Sequence, residues 1–317
     1  MLLALGAIIT GLALLVWSAD KFVDGAVGLA ENWGMSKAMI GLTIVSLGTS
    51  APEIFVSVMA ATGGNSALAF GNAIGSNIAN VALVLGATTL IAVLPIKRGL
   101  LKQDLPALLI VTLITGLLLW DLTLSRLDGI ILIAMLFALL ILLFRYKKEH
   151  PEEASNEEEI DDFELKESVV SFVLGLVVLV VSSKLLVWGA VDIATSMGIS
   201  QIIIGLTIVA IGTSLPELAA SITSARRGHH DIALGNIIGS NVLNILTVLS
   251  LAAIVQPIAI SQEVLFRDYG LMTALTLLLA FFIILPQKKR TLGKPQGILF
   301  LLCYAAYMTM LYVEATN

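Results

Sequence analysis

Residues 48–53, Gly-Thr-Ser-Ala-Pro-Glu, put two hydroxyls and a carboxylate in the middle of an apolar run from about Ala38 to Thr62, and residues 212–217, Gly-Thr-Ser-Leu-Pro-Glu, do so again. An unpaired charge at the centre of a membrane span costs roughly 3 kcal/mol or more, so Glu53 and Glu217 are expected to face protein or a wet cavity. Thr49 and Ser50 precede Glu53 by four and three residues, and Thr213 and Ser214 stand in the same relation to Glu217, so each set shares one helical face. Pro52 and Pro216 have no N–H to donate and press on the carbonyl one turn back, at Gly48 and Gly212, so both helices are expected to kink and release carbonyl oxygens. A second motif, GNAIGSNIAN at 71–80 and GNIIGSNVLN at 235–244, adds Ser76 with Asn80 and Ser240 with Asn244, each pair on one face. A buried amide can also simply bridge two helices. Taken together, carboxylates, hydroxyls, amide oxygens and carbonyls form a hard-cation ligand set. About six to eight such oxygens suit Ca2+, whereas Mg2+ demands tighter octahedral geometry and keeps more water. Na+ has nearly the radius of Ca2+ and accepts the same oxygens.

These residues need helices to carry them. The chain of 317 residues is 58% hydrophobic with a mean hydropathy of +0.98, and its 13% of charged residues falls far below the roughly 25% of a soluble domain. It reads as an all-α polytopic membrane protein. Apolar runs of spanning length lie near 3–28, 38–62, 68–94, 104–120, 128–144, 169–196, 201–225, 232–256, 268–286 and 296–313, ten transmembrane helices in all. The first lacks the basic flank and cleavage site of a secretory leader and is expected to be a retained helix.

The chain also repeats itself. GLTIVSLGTSAPE at 41–53 returns as GLTIVAIGTSLPE at 205–217, an offset of 164, and residues 11–80 against 175–244 give 34 identities in 70 ungapped pairs. Each copy is followed by two less similar helices, so a repeat holds five. An odd number makes the second copy enter the membrane from the opposite side. The expected domains are therefore two inverted five-helix repeats, 1–146 and 168–317, with an acidic linker at 147–167, an arrangement that places a transport site between repeats. The linker, with ten acids, reads as a solvated hinge and lacks the alternating ligands of a calcium loop.

Charge placement gives an orientation. With the N-terminus outside, inner connections carry fourteen Lys and Arg and outer ones two, Arg126 and Arg267. Both termini are expected outside and the acidic loop in the cytoplasm. Asp20, Lys21 and Asp24 in the first helix, and Lys184 and Asp192 in the sixth, read either as a gating contact or as snorkelling side chains. The basic turns fit lipid contact and need no nucleic acid. Three histidines and the single Cys303 cannot build a thiolate or imidazole metal cluster. His150, His229 and His230 fall in connections and no GxSxG occurs, so an intramembrane enzyme has no nucleophile-and-base set. A passive channel would call for a continuous pore, usually with rotational symmetry of several subunits.

The two motif pairs resemble the alpha repeats of the sodium/calcium exchanger family, of prokaryotic type, within the calcium/cation antiporter superfamily. The match covers about 80 of the 317 residues at motif level. The resemblance implies that helices 2, 3, 7 and 8 surround the ions while long helices 1 and 6 slide to open either side. It also implies ligation by Thr49, Ser50, Glu53, Ser76, Asn80, Thr213, Ser214, Glu217, Ser240 and Asn244, joined by the backbone carbonyls of Ser46 and Ala210. Asn80 and Asn244 stand where potassium-dependent relatives carry an acid, which argues for potassium independence. Proton-coupled relatives carry an acid near Gly75 or Gly239, where this chain has glycine. The expected function is exchange of Na+ for Ca2+ by alternating access across a prokaryotic plasma (inner) membrane. Ca2+ and Na+ are cargo in that reading, with no cofactor and no obligate protein partner beyond the lipid bilayer. Cation/proton exchange is the alternative.

Overall fold

A computed structural model describes residues 1–97, 99–149, 164–198, 210–284 and 290–316. Among the described residues the regular structure is helical apart from four two-residue strands. Its helices are α1 Leu2–Asn32, α2 Lys37–Thr49, α3 Ala51–Thr62, α4 Ser66–Ile91, α5 Leu100–Asp121, α6 Arg126–Glu149, α7 Leu165–Ser196, α8 Ala210–Thr213, α9 Leu215–Arg226, α10 His230–Val255, α11 Gln262–Ile284 and α12 Lys294–Thr316. Among the described residues eight helices are long and apolar enough to cross a membrane, nine if α2 and α3, bent by 46°, count as one span. The expected span at 201–225, seventh of the ten, begins at residues outside the described set and continues as α8 and α9, so that expectation is met only over its described part. Residues 150–163 of the expected linker also lie outside it.

The offset of 164 carries through to the helix ends. Ser66–Ile91 and His230–Val255 match residue for residue, because each begins after a glycine turn, at Gly64 and Gly228, where φ is +83° and +84° and a side chain would be strained. These two helices form the centre, with Phe70, Ile74 and Ile78 of α4 and Ile237, Ile245 and Leu246 of α10 fully or nearly fully buried. α6 and α12 leave apolar side chains such as Ile130, Phe137, Ile298 and Leu302 exposed, as befits surfaces that face lipid rather than water.

α1 and α7, of 31 and 32 residues, are about 46 to 48 Å long and touch along their length. They run antiparallel: Gly25 packs on the backbone of Phe172, whereas Gly189 packs on that of Ala4. Gly11 and Gly175, like Gly25 and Gly189, are mates at the offset of 164, and any side chain at them would collide with the facing helix.

Two features lie beyond the sequence reading. β1 Leu94–Pro95 pairs with β4 Thr291–Leu292, and β2 Thr123–Leu124 pairs with β3 Ile258–Ala259, so each half stitches a loop to the other. Wide π-helical turns interrupt the spans at Gly41–Val45, Asn80–Leu85, Leu100–Asp104, Asn244–Leu249 and Leu265–Tyr269. The fifth helix also runs to Glu149 rather than 144, since Arg, Lys and Glu propagate a helix beyond its apolar stretch.

Candidate functional site

Ser50 leaves helical geometry, with ψ at 2°, and Ser214 does the same with ψ at 7°. Each break stops one helix and starts another within a residue. Pro52 and Pro216 sit in the first turn of the new helix, where a missing N–H is tolerated, and Glu53 and Glu217 follow in that turn, where the helix dipole favours an anion. The carbonyl ends of α2 and α8 meet the same gap and favour a cation. Broken helices with opposed ends are how membrane transporters line a cation site. The released carbonyls are not equivalent, however: Gly212 O accepts from Ser183 Oγ of α7 at 3.0 Å.

Both carboxylates are buried, each 1% exposed. Among the described residues no Lys, Arg or His pairs with either. Ser50 of the first repeat donates to Glu217 Oε1 of the second at 3.2 Å, so the two half-sites are one site. Glu53 Oε2, Glu217 Oε2, Ser214 Oγ, Ser240 Oγ and both amide atoms of Asn80 and of Asn244 are buried without a hydrogen-bond partner among the described residues. Leaving one buried polar group unsatisfied costs about 1–3 kcal/mol. Such a concentration marks a place prepared for a ligand, and acidic, hydroxyl and amide oxygens suit a hard cation. Asn80 and Asn244 each open a π-helical turn, a form that recurs at functional sites.

Ser46, Thr49, Ser50 and Ser76 are buried. Ser46 O accepts from the Ser50 N–H at 2.9 Å and lies 3.3 Å from the Thr49 hydroxyl. In the second repeat the Ser214 N–H turns to the carbonyl of Ile211, next to Ala210. Thr213 lines a cavity of about 250 Å³ with Pro52, Pro216, Ser183 and Lys184. The motif glycines differ between the repeats: Gly235 and Gly239 press α10 onto the backbone of Ala38 and Leu42, while no described residue stands within 4 Å of a methyl group at Gly71 or Gly75. The residues that correspond to their partners, 201–209, are outside the described set.

Two asparagines escaped the sequence reading. Asn72 donates to Glu53 O at 3.1 Å and to Ser57 Oγ at 2.9 Å, and Asn236 donates to Glu217 O at 3.5 Å and to Ser221 Oγ at 3.0 Å. The repetition of GN at 71–72 and 235–236 was the available signal. Asn77 meets its own repeat mate, donating to Asn241 O at 3.2 Å, so the axis relating the halves passes close by. Asp20 and Asp24 do form a contact, with Arg227, and thereby tie α1 to the end of α9.

The chain matches the protein family described as "Sodium/calcium exchanger protein" over residues 3–145 and 167–313. CaxA of Alkalimonas amylolytica, whose name assigns antiport only provisionally, is 42% identical over 98% of this chain and 99% of its own. Inner membrane protein YrbG of Escherichia coli (strain K12) is 37% identical over 98% of both, and the sodium/calcium exchanger MaX1 of Methanosarcina acetivorans is 28% identical over 96% of this chain and 97% of its own. A solved structure of the sodium-calcium exchanger NCX_Mj, soaked with Na+ and Sr2+, superposes with a TM-score of 0.84 at 31% identity and covers 98% of each chain. Another, soaked with Na+ and Ca2+, gives 0.82 over the same shares.

Proposed function

The chain belongs to the sodium/calcium exchanger protein family, whose members are membrane antiporters rather than enzymes, and from that premise we propose that it exchanges Na+ for Ca2+ by secondary active antiport. The observation that carries this reading is the pair of buried carboxylates, one from each repeat, with Ser50 of the first repeat donating to Glu217 of the second and no cationic side chain paired with either among the described residues. A divalent ion entering the middle of a membrane loses its hydration, and two anionic groups with neutral oxygens around them replace it. Glu53 and Glu217 neutralise Ca2+. Thr49, Ser50, Ser76, Asn80, Thr213, Ser214, Ser240 and Asn244 complete the shell with the carbonyls of Ser46 and Ala210. Na+ competes for the same oxygens, and this competition couples the two fluxes. The amides at 80 and 244 keep the site's charge at the two carboxylates and argue against potassium dependence.

Alternating access follows from the repeats. α1 and α7 meet through glycines, with the Phe22 and Phe172 rings 4.8 Å apart and Ser171 Oγ donating to Lys21 O at 2.9 Å, and sliding of this pair exposes the site first to one side and then to the other. We place both termini outside a prokaryotic inner membrane and the acidic segment in the cytoplasm, on the distribution of Lys and Arg. Na+ moving down its gradient then expels Ca2+.

Proton coupling is the rival, since buried carboxylates also carry protons. Uptake of 45Ca2+ into proteoliposomes loaded with Na+ is compared with choline-loaded vesicles and with an imposed pH gradient. Uptake driven by internal Na+ alone is expected. Uptake driven only by the pH gradient would overturn the sodium assignment.

A further inference from the structure

We propose that Asn236 is a positioning residue that orients the Thr49 hydroxyl toward the transported cation and couples the two half-sites; this deepens the ion-site reading above. Asn236 is fully buried, and its side chain makes three hydrogen bonds. Its Nδ2 lies 3.0 Å from Ser221 Oγ and 3.5 Å from Glu217 O, and its Oδ1 accepts from Thr49 Oγ1 at 3.1 Å. A fourth link is covalent to the motif itself, since Asn236 heads the stretch that ends in Ser240 and Asn244.

The orientation of this amide is fixed by chemistry. A carbonyl only accepts, so the atom beside Glu217 O is the NH2 group and Oδ1 faces Thr49. Asn72 repeats the arrangement at Glu53 O and Ser57, at 3.1 and 2.9 Å. With an acceptor-only oxygen at Asn236 Oδ1 and another at Ser46 O, 3.3 Å away, the Thr49 proton points away from the ion site and the hydroxyl's lone pairs are left for a cation. A hydroxyl whose proton turned inward would oppose the ion instead. The same amide ties to the backbone of Glu217, the second repeat's carboxylate. One side chain thus sets a neutral ligand of the first repeat against the charged ligand of the second. The contact is not local: residues 49 and 236 stand 187 positions apart.

Equilibrium 45Ca2+ binding to the purified full-length protein, with and without competing Na+, tests the proposal. N236L is expected to raise the Ca2+ Kd about tenfold, as does T49V, and the double variant is to be no weaker than T49V alone, since both remove one interaction. N236Q keeps a neutral amide, with an oxygen to accept from Thr49 and an NH2 to donate to Glu217 O, and is expected to stay within about threefold of wild type, and it decides the matter if N236L fails to fold. Multiplying losses in the double variant, an unchanged Kd in N236L or T49V, or a tenfold loss in N236Q would each overturn the assignment. Sodium-driven flux in the wild type is measured separately. Its absence would sink the exchanger reading, whereas flux with additive binding losses would sink only the role of Asn236.

Discussion

Asp268 and the pair Glu53 and Glu217 are carboxylates buried in helices of one protein, but they are satisfied in opposite ways. Asp268, 9% exposed, accepts from Arg267 Nε at 3.0 Å, from Arg267 Nη2 at 2.8 Å and from the Tyr307 hydroxyl at 2.9 Å, while Arg267 also reaches Glu314. Its charge is cancelled and both oxygens are engaged, so it ties α11 to α12. Glu53 and Glu217 are buried more deeply, the Ser50 hydroxyl donates to Glu217 alone, and each keeps an oxygen without a partner among the described residues. Burial of an acid alone therefore says little about function, whereas burial without compensation does. The repeats teach the same lesson: Asp104 is the mate of Asp268, but Gln103 stands where Arg267 does, so the edges of the halves have diverged while the centre has stayed alike.

The comparison breaks most visibly if the uncompensated acids are neutralised. E53Q and E217Q are each expected to cut Na+-dependent 45Ca2+ uptake about 100-fold or more, because a buried charge has lost the partner that balances it, while size-exclusion profiles stay those of a folded protein. Aggregation of both variants would instead make the carboxylates structural. R267M should give the converse result. It strands Asp268 and is expected to lower thermal stability by about 2–3 kcal/mol, less than a fully buried pair because Arg267 is partly exposed, with uptake per folded molecule within about twofold of wild type. A stable but inactive R267M would erase the distinction between the two regions.

N80D sharpens the comparison from inside the site. A third acid is expected to shift ion preference or bring potassium dependence, read from uptake in paired K+ and choline media; unchanged preference would make the amide a packing group. The smallest effect belongs to the turn beyond the membrane. Burial, with Lys37 and Arg227 nearby, pushes His229 down to about 4 from 6.5. The unfolded chain takes up the proton first, so the stability is fully present above about pH 6.5 and is lost as pH falls toward 4. Discounted for partial exposure, this amounts to about 1 kcal/mol or less. H229Q should flatten the melting temperature between those pH values, and an unaltered slope would assign the acid sensitivity elsewhere.

Much of this was legible in the residues. Polar motifs in apolar runs stand out, and the 164-residue offset relates the helices the structure contains. Pro52 and Pro216 announced the helix breaks, and Glu53 and Glu217 announced the centre. The hidden parts depend on packing. Asn72 lies 15 residues from Ser57 and meets it only after α3 and α4 fold together, and the Asn236 link to Thr49 crosses the whole interface between repeats. Ser183 was unremarked because its acceptor, Gly212 O, exists only once Pro216 has freed that carbonyl. A π-helical turn leaves nearly the same apolar pattern as an α-helical one, and a two-residue strand leaves none, so neither could be read from periodicity.

The most direct test of a Ca2+ site shared between the repeats is self-exchange, external 45Ca2+ against internal unlabelled Ca2+, which needs no coupling ion. Proteoliposomes with the wild type are expected to show saturable exchange, and those with E53Q or E217Q none above empty vesicles. Saturable exchange retained in either variant would contradict the shared site.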